Sequence, residues 1–176
     1  MVTGISTDII TRLPQGDQFR FVTGLLEDLD PQKFVVSAYL DVKPEHCFGH
    51  FSELCMLPSV LLEEALAQAG CLWVLHNPET ADMLPVFRGK REVIQGGPVF
   101  PGDRVLLKVN TIWGAQYSPK QKNGIFSGSA YIKDSEVMRI RSEFSLLQKR
   151  TALRVLTHMR DHPDHIRPSI DTIGEP

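Results

Sequence analysis

The stretch "GHFSELCMLPSVLLEEALAQAG", residues 49–70, sets His50 in a Gly-His-Phe turn. The run that follows is apolar apart from Glu63, Glu64 and Gln68. Burying a carboxyl costs free energy unless it is hydrogen-bonded or neutralised, and withdrawal from water makes its proton harder to lose. A buried glutamate is therefore suited to act as a general acid near neutral pH. Glu64 and Gln68 lie four residues apart and share a helix face, whereas Glu63 and Glu64 diverge by about 100°. On that reading one glutamate faces a site while the other reaches solvent or a second subunit. A helix lying on an exposed edge, with both glutamates in water, fits the same spacing.

Those side chains need elements that hold them. Pro58 suits the first turn of a helix, where its missing N–H has no partner to lose. Residues 59–75 are rich in Leu, Ala, Glu and Gln and apolar on nearly every face, which predicts a buried helix. Upstream, residues 19–29 and 33–42 read as strands joined by the turn "DLDPQ". In the second of them Phe34, Val36, Ala38, Leu40 and Val42 alternate with Val35, Ser37, Tyr39 and Asp41. "KPEHCFGHFSELCMLP" is a long irregular connection, the kind of loop on which a rigid scaffold carries reactive groups. Downstream, residues 83–94, 104–113, 124–133 and 137–147 read as strands, with "GGPVFPGD" and "KDSE" as turns. The expected fold is α+β, a single domain over residues 1–150 in which an antiparallel sheet wraps one long central helix. Residues 151–176 read as a partly flexible C-terminal extension, a short helix followed from His162, where Pro and His accumulate, by a tail that is flexible or ordered only on contact.

Composition narrows the function classes. The chain has 176 residues, with 19 Lys and Arg against 21 Asp and Glu, a formal charge of -2 that excludes a bulk electrostatic case for nucleic acid. Basic residues gather locally at Arg88, Lys90 and Arg91 and again at Lys149, Arg150 and Arg154. No apolar run approaches the ~18 residues of a membrane span, and "MVTGISTDII" lacks the basic start and apolar core of a signal peptide. Cys47, Cys55 and Cys71 are odd in number and lie in or beside the apolar stretch. That fits a reducing cytoplasm, with no spacing that suggests a metal site, and Cys55 and Cys71 read as small apolar packers. His46 reads as a surface histidine, and Trp73 and Trp113 as core or dimer contacts.

The motif resembles the signature of the FabZ-type 3-hydroxyacyl-[acyl-carrier-protein] dehydratases, which have the hotdog fold. That pattern is approximately G-H-F-P, five variable residues, P-G, then V-L-x-x-E-A-x-A-Q. Gly49, His50, Phe51, Pro58, Val60, Leu61, Glu64, Ala65, Ala67 and Gln68 fall into it without a gap. The similarity extends to the N-terminal hairpin and to "GGPVFPGDRVLLKV", over about residues 13–149. The resemblance implies dehydration of a 3-hydroxyacyl thioester to the trans-2-enoyl product, in fatty-acid or polyketide-type biosynthesis. That reaction needs a base, an acid and donors for the thioester carbonyl. It casts His50 as the base that takes the α-proton and Glu64 as the acid that protonates the departing hydroxyl. In the family these meet across a dimer interface, one from each subunit. Backbone N–H groups of Ser59 and Val60 would polarise the carbonyl with help from the helix dipole, and Gln68 would orient Glu64. Glu63 would turn away. No metal or cofactor is implied.

The implied partners are an acyl carrier protein or CoA thioester and a second hotdog subunit, as a homodimer, a trimer of dimers or a heterodimer. Arg88, Lys90 and Arg91 could dock an acidic carrier. Four positions depart from the family: Ser59 replaces Gly after the helix-starting Pro, Ser52 replaces the Pro of H-F-P, Cys55 replaces a second loop proline, and Thr23 replaces Asp in the hairpin. Two other functions fit a hotdog domain: an acyl thioesterase using Glu64, and a non-catalytic acyl-binding or heterodimer partner.

Overall fold

A computed structural model of the chain describes residues 7–30, 32–113 and 122–162. Six strands, β1 (Gly24–Leu25), β2 (Val35–Asp41), β3 (Met83–Gln95), β4 (Arg104–Trp113), β5 (Lys122–Ile132) and β6 (Ser135–Gln148), form one antiparallel sheet. Their spatial order, β1-β2-β4-β5-β6-β3, leaves β1 and β3 as edges. The long helix α1 (Ser59–His76) connects β2 to β3 in sequence and packs against β2, β3, β4 and β5. This is the hotdog arrangement expected from the motif.

Alternation explains the wrapping. Val36, Ala38 and Leu40 of β2, Val105, Leu107 and Val109 of β4, and Met138, Ile140 and Phe144 of β6 are all buried. They meet Leu62, Ala65, Leu66, Ala69, Leu72 and Trp73 of α1, so the helix has an apolar neighbour almost all the way round. Each such large side chain contributes roughly 1.5–3 kcal/mol by leaving water. Close approach needs a missing side chain at Gly128, where a Cβ would stand 3.2 Å from Leu66 Cδ2. Gly102, at φ +93°, makes the tight turn before β4 and donates its N–H to Val42 O at 2.8 Å.

The structure revises several expectations. The strand expected over residues 19–29 contracts to β1, because the backbone of Phe19 and Phe21 bonds to the Gln68 side chain and not to a neighbouring strand. His46 is half-buried, accepts the Lys43 N–H on Nδ1 at 3.2 Å and stands edge-on to Phe21. Loss of water around it holds its pKa below the usual histidine value. Of the two cysteines expected to pack as small apolar residues, Cys71 is buried but Cys55 is exposed, and Cys47 is buried as well. Burial pushes the Cys71 thiol up to about 12, and burial together with the Cys55 thiol beside it pushes Cys47 up to about 11. Trp73 is a core residue against Phe34, with ring centroids 5.0 Å apart; the side chain of Trp113 lies outside the described residues.

The short helix expected after β6 is a 13-residue α2 (Lys149–Asp161), anchored by the Lys149 N–H on Asp82 O at 2.9 Å. It buries Ala152 and leaves Leu153, Val155, Leu156 and Met159 exposed. The tail expected beyond it, residues 163–176, lies outside the described residues. Among the described residues no helix is long and apolar enough to cross a membrane.

Candidate active site

Helix α1 places Glu64 and Gln68 one turn apart, and the N-terminal segment is drawn across them. Gln68 is 1% exposed, yet every polar atom of its amide is used. Its Nε2 donates to Glu64 Oε1 at 2.9 Å and to Phe19 O at 2.8 Å, while its Oε1 accepts the Phe21 N–H at 2.8 Å. A buried amide so satisfied carries no desolvation debt. A second amide reaches the same carboxylate oxygen: Gln15 Nε2 donates to Glu64 Oε1 at 3.0 Å. The Gln15 carbonyl accepts from Arg20 Nη2 at 3.0 Å, and Arg20 Nη1 pairs with Asp17 at 2.7 Å, which closes residues 15–20 into a compact turn. Among the described residues no hydrogen bond reaches Glu64 Oε2.

Beside this carboxyl lies a cavity of about 140 Å³ whose lining is mainly apolar. Gln15, Glu64 and Gln68 stand in its wall with Phe87, Phe126 and Phe144. A cavity of that size is on the scale of one benzene-sized apolar group. Gln15 escaped sequence reasoning because its contact with Glu64 spans 49 positions. Only the polar residue in "LPQGDQF", between Leu-Pro and Gly, could have flagged it.

His50 is held differently. Phe48 and Gly49 adopt positive φ of 48° and 71°, which turns the chain sharply just before it. Three backbone bonds then close the loop: His50 N–H to Cys47 O at 2.8 Å, Phe51 N–H to Leu54 O at 2.7 Å and Met56 N–H to His50 O at 2.7 Å. Leu57 N–H to Val99 O, at 2.8 Å, moors it to the turn before β4. His50 Nδ1 stands 3.3 Å from Met56 O. A carbonyl can only accept, so Nδ1 carries the hydrogen in this pairing and Nε2 of the neutral ring keeps a lone pair for a proton. Within one chain His50 does not line the cavity that Glu64 lines, and no hydrogen bond joins the two among the described residues.

The model of the FabA-like domain matches residues 13–141. The chain belongs to the FabA-like family. A 3-hydroxyacyl-[acyl-carrier-protein] dehydratase FabZ of Symbiobacterium thermophilum is 31% identical over 140 residues, covering 79% of this chain and 94% of the relative. The FabZ of Clostridium kluyveri is 36% identical over 110 residues, covering 61% and 72%. This FabA-like protein is thus a divergent FabZ-type member. Among solved structures it is similar to a chain of the dehydratase heterocomplex ApeI:P from Xenorhabdus doucetiae, with a TM-score of 0.63 and 19% identity over 84% of this chain and 96% of the other. At that identity the likeness speaks for the hotdog fold.

The positions that set this FabA-like protein apart have visible structural consequences. Thr23, in place of Asp, accepts the Asp41 N–H on its hydroxyl at 2.9 Å and so keeps an acceptor there. Pro58 caps α1 without a side-chain bond. Among the described residues no hydrogen bond engages the N–H of Ser59 or Val60, and Val60 is exposed. Glu63 does not stand free: it is mostly buried and ion-paired with Lys90. Arg91 likewise pairs with Glu143 at 2.5 Å, and Arg88 reaches Asn123 at 3.5 Å. Two of the three cations expected to dock a carrier are thus neutralised by acids of this chain.

Proposed function

We propose that this protein dehydrates 3-hydroxyacyl chains on acyl carrier protein to trans-2-enoyl thioesters, in fatty-acid-type synthesis, with no metal or cofactor. The observation that carries the reading is Glu64, a carboxyl in the wall of a mainly apolar cavity, gripped through one oxygen and open at the other. FabZ relatives with dehydratase names support it. His50 Nε2 takes the α-proton, and Glu64 gives its proton to the departing hydroxyl, which leaves as water. The N–H groups of Ser59 and Val60, at the positive end of α1, stabilise the negative charge that builds on the thioester oxygen. Gln68 holds Glu64 in place.

One chain keeps His50 and Glu64 apart, so the reading includes a homodimer in which each site draws His50 from one subunit and Glu64 from the other. The 13-residue β3, bonded on one side only to β6, supports this, because a long free edge is a template for pairing with a second copy. Exposed Phe87, Val93 and Ile94 lie along that strand. Carrier docking by Arg88, the least neutralised of the local cations, completes the proposal.

The test is to incubate the pure protein with 3-hydroxybutyryl carrier protein and weigh the carrier-bound group by mass spectrometry. Loss of one water, and its regain from the enoyl form, is expected. Free carrier thiol without water loss would replace the reading with a thioesterase. An unchanged carrier would favour an acyl-binding or heterodimer role.

A further inference from the structure

We infer that Gln15 is a positioning residue that fixes which oxygen of Glu64 carries the proton. The inference rests on the dehydratase reading and extends it to a residue outside the motif. Glu64 Oε1 receives two amide N–H groups, from Gln68 at 2.9 Å and from Gln15 at 3.0 Å. An oxygen whose two lone-pair directions both accept hydrogen bonds has no direction left for a proton of its own. The acid proton therefore sits on Oε2, which meets no protein donor or acceptor among the described residues. During turnover it passes from Oε2 to the hydroxyl oxygen as the C–O bond breaks, the α-proton goes to His50, and water leaves. The carboxylate left behind is held by the same two amides until solvent reprotonates it.

A second observation separates Gln15 from an ordinary structural amide. Gln15 Oε1 is buried and has no hydrogen-bond partner. An orphaned buried acceptor destabilises a fold, and native structures keep few of them. Turning the amide over would not cure this, because it would press the carbonyl oxygen against Glu64 Oε1 and remove a donor from it. The fold thus tolerates an unsatisfied oxygen on Gln15 while its nitrogen stays on Glu64. That pattern marks a residue retained for the site at the expense of stability. Gln68 differs: both ends of its amide are bonded, and it serves the fold as well as the carboxyl.

The experiment compares wild type with Gln15→Met, which keeps the length and removes both the donor and the orphan. Gln15→Asn, whose amide is one methylene too short to reach Glu64, is the second variant. All are assayed with 3-hydroxybutyryl carrier protein and melted in parallel. Expected for both variants is a kcat about tenfold to a hundredfold lower, the cost of a misplaced acid, with KM within about twofold. The melting temperature of Gln15→Met should equal or exceed that of wild type. A kcat within twofold of wild type in both variants overturns the inference. So does a loss of activity that tracks a lower melting temperature, which would make Gln15 a structural residue. An inactive wild type would instead overturn the dehydratase reading itself.

Discussion

Glu64 rides on a helix and is gripped by amides 4 and 49 positions away, whereas His50 sits in a loop closed by bonds among residues 47–56. The first mounting is global: the atoms that hold the carboxyl also hold the N-terminal segment and the core. The second is local, moored to the rest of the fold through Leu57 and Val99. Acid and base chemistry both need position, but the two groups obtain it from different structural sources. Damage at Gln68, which holds both the carboxyl and the N-terminal backbone, should therefore cost stability as well as activity, whereas loss of Gln15 should cost activity without stability. Damage to the loop side should cost activity alone.

The largest effect expected is on turnover, and it should ignore the mounting. His50→Ala and Glu64→Gln should each lower kcat by roughly 10²–10⁴, the worth of a positioned acid or base. The double variant should fall little further, since the two act as a unit. Steady-state assays decide it, and full activity in either single variant would remove that residue from the chemistry.

Stability should then separate the two regions. Gln68→Ala orphans the buried Phe21 N–H and the part-buried Phe19 carbonyl and should destabilise the protein by about 2–4 kcal/mol in urea titration. His50→Ala should cost under about 1 kcal/mol, as expected away from core, cap and network mechanisms. Equal losses would show that the loop is as deeply built in as the helix.

Thiol chemistry offers a finer probe, because Cys47 belongs to the loop and Cys71 to the helix. Alkylation followed by mass spectrometry should label exposed Cys55 first and spare Cys47 and Cys71. In mild urea Cys47 should become reactive before Cys71 if the loop opens on its own. Both buried thiols have raised pKa values, so above the ordinary 9.0 the unfolded chain ionises them while the folded chain does not. The unfolded state then binds fewer protons, and stability should fall as pH rises from about 9 toward 11. The smallest effect belongs to Glu63→Gln. It breaks an ion pair whose lysine is half-exposed, and should cost under about 1 kcal/mol and leave kcat within twofold.

Much of this architecture is legible residue by residue, and the failures have physical causes. The apolar run behind Pro58 reads as a buried helix because it is too long for a strand and rich in Leu, Ala, Glu and Gln. The alternation in "KFVVSAYLDV" reads as β2 because period 2 leaves one face to the core. The strand expected over residues 19–29 fails because a side chain, Gln68, competes for its backbone, and hydropathy cannot show that competition. Residue type alone reads Cys55 as a packer and His46 as a surface residue, but the path of the chain after its left-handed residues at Phe48 and Gly49 leaves Cys55 exposed, and Phe21, 25 positions upstream, covers His46.

By itself, the sequence determined the long buried helix, most of the strands before and after it, and the shared face of Glu64 and Gln68, since all three follow from spacing within an element. Tertiary structure alone decided that Gln15 reaches Glu64, that Glu63 is tied to Lys90, and that His50 and Glu64 stay apart in one chain. Those are contacts between segments distant in sequence, and no local periodicity carries their geometry. The adjacent glutamates show the division most plainly. Their 100° separation on a helix predicts different surroundings, but only the packed fold supplies two amides to one and a lysine to the other.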